Sequence, residues 1–141
     1  MKKLALSLIG ALSMLLSGVS AYAQDVHIRI TVPFDFSVNN KTMPAGQYDV
    51  LSAGLKNPGT LVIRNATARM EMYVNTLDRQ SPSLSSQTKL VFQQYGGTYF
   101  LSQIWTEGSR AGLEFPKART EIQEAKAAAG QQVVLAAKLG R

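Results

Sequence analysis

Side chains that could act as bases or metal ligands are few in this chain. It has one histidine, His27, and no cysteine. A metal site needs three or four ligands, and a histidine base needs a partner within hydrogen-bond reach. Asp25 and Asp49, with Asp35 between them, are the carboxylates in the same part of the sequence as His27. We therefore expect His27 to be a solvent-facing strand residue, and we predict no metal and no cofactor.

Paired carboxylates are the second kind of catalytic group to consider. Glycosidase-type hydrolysis needs two of them about 5–10 Å apart across a cleft. Glu71 and Glu107 are the best pair that the sequence offers, although nothing in it brings them together. Glu121 and Glu124 lie three residues apart, a spacing typical of a solvated helix face. With no G-x-S-x-G nucleophile motif either, we expect no enzyme, and a carboxylate hydrolase is the last alternative.

Aromatic side chains offer binding rather than reaction chemistry. Most of them fall at alternating positions in strand patterns, so we expect them to fill the core. A second interpretation is that Tyr73, Tyr99 and Trp105 line a groove or barrel mouth for a sugar or lipid. Such pockets are apolar with a few polar groups. These three residues are the candidate ligand-binding residues.

Strands must position these side chains, because a period of two runs through most of the chain after residue 25. Apolar residues alternate from Val26 to Val32 and again as far as Val38, with Pro33 between the two runs. Proline interrupts a strand, so this predicts two strands, or one that bends between two sheets. Asn39-Asn40-Lys41 then predicts a turn. Further strands are expected at 47–52, 60–65 and 69–76.

A hairpin gives the strongest local signal. Gly96-Gly97 separates two β-rich runs, 89–95 and 98–105, and two glycines suit a two-residue turn. The serine-rich segment 78–88 is expected to be a long loop. On the second hairpin strand, simple alternation places Tyr99, Leu101 and Trp105 on one face and Phe100 and Ile104 on the other.

The apolar period changes near the end of the chain. Pro116 suits the first turn of a helix, and Gly130 suits the position just after its end. The apolar stripe of this helix is expected at Ala118, Ile122, Ala125 and Ala129. A last strand follows at 131–138. The predicted fold is mainly β: an antiparallel β-sandwich or small β-barrel of seven to eight strands with one C-terminal α-helix.

The first 23 residues have the features of a secretory signal peptide. Lys2 and Lys3 precede an apolar run that is too short to cross a membrane. Ala21-Tyr22-Ala23 is a small-x-small site, which predicts cleavage before Gln24. We expect a cleaved signal peptide at 1–23, a single mainly-β domain at 24–141, and a periplasmic or extracellular location.

Charge and hydropathy limit the partners. The chain has 15 Lys and Arg against 9 Asp and Glu, and loss of Lys2 and Lys3 leaves 13 against 9, a net charge of +4. The basic residues are scattered, whereas nucleic-acid binding needs them clustered on one face. We expect no nucleic-acid partner and no transmembrane anchor. An envelope polymer, a small apolar ligand and self-association through a strand edge stay open.

The chain contains three further motifs: Val32-Pro33-Phe34-Asp35-Phe36, Met43-Pro44-Ala45-Gly46-Gln47-Tyr48-Asp49-Val50 and the hairpin from Lys89 to Leu101. These motifs resemble those of a group of small secreted bacterial proteins that is numerous in acidobacteria. The resemblance covers roughly residues 26 to 126. It implies an exported β domain and brings no activity and no functional residue with it.

The leading functional hypothesis is an exported, non-enzymatic β module that binds a ligand or associates with the cell envelope. The alternative is a lipocalin-like carrier of a small apolar ligand, which would enclose a dry cavity in a closed barrel.

Overall fold

A computed structural model describes residues 26–54, 56–57 and 59–139. The predicted signal peptide and its cleavage site at Ala21, Ala23 and Gln24 lie outside these residues. In chain order, the described elements are β1 (His27–Val32), β2 (Phe36–Val38), β3 (Lys41–Met43), β4 (Gly46–Ser52), β5 (Thr60–Asn65), β6 (Met70–Asn75), β7 (Leu77–Gln80), β8 (Lys89–Tyr95), β9 (Thr98–Trp105), β10 (Ala111–Glu114), α1 (Arg119–Ala127), β11 (Gly130–Ala136) and β12 (Lys138–Leu139).

The strands form two sheets packed as a sandwich, and the sheets do not close into a barrel. The first sheet has the order β12-β1-β4-β5-β6, and the second has the order β11-β8-β9-β10-β7, with β2 and β3 attached beside β9. This confirms the mainly β prediction and its sandwich alternative. The described residues contain more strands than the expected seven to eight, because β3, β7, β10 and β12 have only two to four residues each. Such short segments show too little alternation to be recognised in a sequence.

Alternating apolar side chains from both sheets meet in one core. In β1, Ile28, Ile30 and Val32 are buried while Arg29 and Thr31 are exposed. Each such burial contributes about 1.5–3 kcal/mol. Buried residues of the first sheet pack in the same cluster as Phe36, Val38, Leu90, Phe92, Leu101 and Ile104 of the second.

The chain crosses between the sheets at two proline motifs. At Pro33 it leaves β1 in the first sheet and enters β2 in the second, and at Pro44 it returns from β3 to β4. Asp35 Oδ1 accepts a hydrogen bond from the Ala45 N–H at 2.8 Å and ties the two crossings together. Of the two alternatives expected at Pro33, the structure confirms two separate strands, and these strands belong to different sheets.

The turn between β2 and β3 is also where the sequence predicts it. Val38 pairs with Lys41, which leaves Asn39 and Asn40 as a two-residue turn. Their φ angles are 49° and 63°, as a type I′ turn requires at both central positions. Asparagine is among the residues that tolerate this left-handed conformation best.

The predicted assignment of the β9 side chains to the two faces of the sheet is wrong, because β9 contains a β-bulge. Phe92 pairs with Leu101, but the preceding Val91 pairs with Gln103. Ser102 is therefore an extra residue, and the alternation changes sides there. Leu101 and Ile104 both belong to the core cluster, while Trp105 lies on the outer face.

The predicted loop at 78–88 begins with a strand instead. Residues Leu77–Gln80 form β7, which pairs with β10 over its full length. Every residue of β7 is exposed, so no apolar alternation marks it as a strand. Pairing with β10, and not its own composition, makes this segment a strand.

The helix buries a different side from the one predicted. Ile122 is 45% exposed and Ala125 is exposed, whereas Glu121 is only 4% exposed. The expected stripe through Ile122 is therefore wrong. Within the described residues, no helix is long and apolar enough to cross a membrane.

The sequence predicted Gly130 as the residue just after the end of the helix, and this prediction is wrong. The C-cap is Ala128 in an extended conformation, and Gly130 is the first residue of β11. It pairs with Tyr95 of β8, and a Cβ atom at Gly130 would lie 2.7 Å from the Tyr95 ring. The glycine is needed because the aromatic ring covers its backbone.

Candidate functional site

The three aromatic residues predicted to bind a ligand lie in three different places. Tyr73 is on the outer face of β6, 63% exposed, and its hydroxyl donates to Glu71 Oε1 at 3.1 Å. Tyr99 packs against the core and stacks on Phe34, with ring centroids 3.8 Å apart. Trp105 lies over Gly112 on the outer face of the second sheet. They do not form one groove.

A fork in the second sheet creates the best candidate site. The first half of β9 pairs with β2 through Phe100, and its second half pairs with β10 from Gln103 to Trp105. Ser102, the bulge residue, lies between the two pairings, and its carbonyl accepts a hydrogen bond from the Phe115 N–H at 2.8 Å. Because β2 and β10 meet β9 at different places, a gap is left between them.

A cavity of about 190 Å³ lies at this fork. We call it the fork cavity. Its lining combines apolar side chains with polar side chains at several positions. The lining residues are Ser37, Val38, Asn39, Tyr73, Val74, Asn75, Phe100, Leu101, Phe115, Pro116, Ala118 and Glu121.

Glu121 is the ionisable side chain in this cavity wall that is almost fully buried. Among the described residues its carboxylate has no hydrogen bond and no ion pair within 4 Å. Burial raises the pKa of Glu121, and the charge of Lys117 lowers it in part. No fully buried side-chain oxygen or nitrogen in the described part of the chain lacks a partner. The Glu121 carboxyl has no hydrogen-bond partner, so it is not fully buried and keeps a small contact with solvent. We assign this solvent contact to the cavity that Glu121 lines.

The start of α1 is held against the β2–β3 turn. Asn40 Oδ1 accepts hydrogen bonds from the Thr120 hydroxyl at 3.0 Å and from the Thr120 N–H at 3.4 Å. The N-cap residue, Ala118, has no side-chain cap of its own. Asn40 therefore serves as a remote cap and fixes the turn of helix that carries Glu121.

Other ionisable groups pair with one another on the outer face of the first sheet. Successive strand neighbours align Lys138, Arg29, Asp49, Arg64 and Glu71 in one row. Arg29 Nε lies 3.0 Å from Asp49 Oδ1, and Arg64 Nε lies 2.8 Å from Glu71 Oε2. The Arg64 side chain and the Tyr73 hydroxyl hold the pKa of Glu71 below its usual value. Cross-strand pairs of this kind stabilise a sheet modestly.

His27 and the proposed carboxylate pair take no part in the fork cavity. His27 Nε2 lies 3.7 Å from Asp49 Oδ1 on the outer face of the first sheet. Glu71 is in β6 of that sheet, whereas Glu107 is in the turn between β9 and β10 of the second. The described residues include no cluster of three or more histidines and carboxylates able to hold a metal ion.

Sequence reasoning missed Glu121 because it assigned this residue to a solvated helix face. Glu121 is the buried residue of α1, and the cap residues Ala118 and Ala128 are half-buried. A glutamate is almost never fully buried without a partner, so composition argues against its position. No signal in the sequence identifies it.

No protein-family model matches the chain, and neither does any curated protein or solved structure. The site is therefore interpreted from its own residues.

Proposed function

We propose that this protein is an exported, non-enzymatic binding module that holds a small amphipathic amine in the fork cavity. The observation that carries the proposal is a buried, unpaired carboxyl in the wall of a cavity that also has apolar side chains in its lining. Among the described residues that line it, no nucleophile is hydrogen-bonded to a base, so binding is the chemistry that the site supports best.

The volume of the cavity limits the size of the ligand. An engineered apolar cavity of roughly 150 Å³ in another protein holds one benzene molecule. The fork cavity, at about 190 Å³, suits one ring with a short substituent or a chain of similar bulk. A whole lipid is too large for it. The lipocalin-like carrier of a small apolar ligand required a closed barrel, and the two sheets do not close.

The carboxyl sets the chemical class of the ligand. Burial of an ionised carboxylate without a partner is costly, and a protonated amine would supply both the missing charge and the missing hydrogen bonds. A hydrogen bond to a charged group contributes about 1.5–3 kcal/mol, which corresponds to roughly a tenfold or larger gain in affinity. Phe100, Leu101 and Phe115 would contact the apolar part of such a ligand.

Two probes of the same shape test the proposal: benzylamine, which carries a cation, and benzyl alcohol, which does not. Each is titrated into isotopically labelled protein while the amide signals of Ser37, Val38 and Phe100 are followed by NMR. We expect benzylamine to bind more tightly than the alcohol. Glu121→Gln should weaken benzylamine binding about tenfold or more and leave benzyl alcohol within about threefold.

Glu124→Gln is the matched control, because Glu124 lies on the same helix but is exposed and outside the cavity lining. It should leave both affinities unchanged. Binding of neither probe at the cavity would overturn the binding function. Equal binding of both probes, unaffected by Glu121→Gln, would leave a binding site but overturn its selectivity for amines.

Export rests on the sequence pattern of the first 23 residues. The direct test is to purify the protein from the periplasm and the medium of its own cells and to measure its intact mass under native conditions. We expect a chain that begins at Gln24. A chain that retains Met1 and stays in the cytoplasm would contradict export, and a co-purified small base would identify the ligand.

A further inference from the structure

Most strand edges in the sandwich carry a feature that discourages pairing with another chain. The edge strands β12 and β3 have only two and three residues. β7 has four residues and includes Asp78 and Arg79. β6 includes Glu71, and three of its residues line the fork cavity. Short edges and charged side chains are common protections against edge-to-edge association.

β11 is an edge strand that lacks these protections. It has seven residues, Gly130–Ala136, with no charge and no proline. All seven pair with β8 in antiparallel register without a bulge. In the described part of the chain nothing pairs with its other side. One side of its backbone is thus a row of unpaired N–H and C=O groups, which is a template for another strand.

The side chains of β11 favour a second copy of the same strand as its occupant. Two identical strands that pair in antiparallel fashion form a closed two-fold interface, in which each residue meets its equivalent or a near neighbour. The outer face of β11 carries Gln132 and Val134, the latter 43% exposed. Neutral side chains meet in such a pair without repulsion, and the amide of Gln132 can form hydrogen bonds across it.

We infer that β11 is a self-association edge, through which two copies of this protein join their second sheets into one continuous antiparallel sheet. The pairing adds backbone hydrogen bonds along seven residues and covers Val134. It leaves the fork cavity outside the interface, because no residue of β11 lines that cavity. The inference therefore stands independently of the proposed ligand.

The test measures oligomeric state and edge protection together on the full chain, expressed with its own N-terminal segment. Sedimentation velocity from low to high micromolar concentration should show a monomer converting to a dimer. Amide hydrogen exchange at the two ends of that range should show slower exchange in residues 130–136 at the higher concentration, with the amides of β7 unchanged.

Paired charge variants locate the interface. Gln132→Lys combined with Val134→Lys places like charges opposite each other in the dimer and should give a monomer at all concentrations. Leu77→Lys combined with Gln80→Lys adds the same charge to the opposite edge of the same sheet and should leave the dimer intact. Circular dichroism of each variant verifies folding, and Gln132→Lys alone is the milder alternative if the double variant unfolds.

Three outcomes would overturn the inference. The first is a wild-type protein that stays monomeric at high micromolar concentration. This result would exclude self-pairing and would leave β11 as an edge for a strand of another protein. The second is a dimer that persists in the folded β11 variants. The third is a dimer whose formation leaves exchange in residues 130–136 unchanged.

Discussion

Tyr48 joins several parts of the sandwich through one buried hydroxyl group. The hydroxyl donates a hydrogen bond to the Pro44 carbonyl, four residues earlier. Burial raises the pKa of Tyr48, and a hydrogen bond with the Asn65 side chain acts in the opposite direction. Asn65 Oδ1 also accepts from the Ala68 N–H at 3.0 Å. A tyrosine that bonds back to the backbone where a chain changes sheets resembles the tyrosine corner of other sandwiches.

Tyr48→Phe should therefore destabilise the fold. The Pro44 carbonyl and the Asn65 side chain lose a partner at a buried site, which costs about 1–3 kcal/mol. Urea unfolding followed by circular dichroism measures the loss. Tyr73→Phe is the matched control, because the Tyr73 hydroxyl bonds only to Glu71 on the exposed face, and it should change stability by less than about 0.5 kcal/mol. If Tyr48→Phe changed the stability as little as Tyr73→Phe does, the buried hydroxyl would not stabilise the fold.

Gly112 is needed because of the single tryptophan of the chain. It pairs across the strands with Trp105, and a Cβ atom at Gly112 would lie 2.6 Å from Cε3 of the indole. The indole N–H donates to Gln103 Oε1 at 2.9 Å, which fixes the ring over the glycine. An added methyl group has to displace this ring.

Gly112→Ala should shift the tryptophan emission and cost about 1–3 kcal/mol of stability through overpacking. We expect a shift to longer wavelength, because the ring would be lifted toward solvent. Gly97→Ala is the control, since a Cβ atom there meets nothing within 4 Å. Wild-type emission from Gly112→Ala would contradict the packing of the indole on Gly112.

At the scale of elements, much of the strand pattern was predictable from the sequence. The strands around Val50, Ile63 and Val74 are marked by alternation, and the Gly96-Gly97 hairpin by its turn residues, because buried sheet faces impose a period of two. The interruption at Pro33 was predictable for a different reason, since proline cannot donate to a ladder. Local rules of this kind need no knowledge of the rest of the molecule.

Other features depend on long-range contacts and were not predictable. The bulge at Ser102 exists because β9 serves two different neighbours, β2 and β10, and no local residue type signals it. The position of Glu121 depends on how α1 lies at the fork. The fork cavity, which combines both features, could not be derived from the sequence. Of the three aromatic candidates, only Tyr73 borders it.

Asn40 connects two elements, and a pair of glycine variants tests this connection. Asn40→Gly keeps the left-handed turn conformation but removes the oxygen that caps α1 through Thr120. Loss of a helix cap costs about 0.5–2 kcal/mol. Asn39→Gly changes the neighbouring turn residue, for which the structure shows no side-chain hydrogen bond, and should be nearly neutral.

Thermal unfolding and hydrogen exchange of both asparagine variants distinguish a cap from a turn effect. Asn40→Gly should lower the melting temperature and speed exchange in residues 119–124, while Asn39→Gly should do neither. Identical behaviour of the two variants would mean that Asn40 contributes only through the turn.

At the scale of the whole molecule, the end of the chain connects the two sheets. β11 completes the second sheet beside β8, and β12 then pairs with β1 in the first. The Ala137 N–H between them donates to the Thr88 carbonyl at 2.9 Å. The last strands thereby contact both the first strand and the central hairpin, so their loss should affect the whole sandwich and not one edge alone.

Two glutamates make the stability of the whole fold depend on pH in opposite directions. The folded pKa of Glu121 is raised above its ordinary value of 4.5 by burial. Its contribution to stability is therefore fully present below that value and is lost as the pH rises through the folded pKa. The folded pKa of Glu71 is lowered by the Arg64 side chain, so its contribution is present above 4.5 and is lost as the pH falls.

Glu121→Gln should accordingly gain stability relative to wild type as the pH rises from about 4 to about 7, because the variant never ionises at the buried site. Glu71→Gln should lose stability relative to wild type as the pH rises above the lowered pKa of Glu71, because it lacks the carboxylate that pairs with Arg64. Urea unfolding of the three proteins at several pH values measures both trends. If Glu121→Gln instead lost stability toward neutral pH, Lys117 and the start of α1 would outweigh burial. In that case the ionised carboxylate would already be stabilised without any ligand.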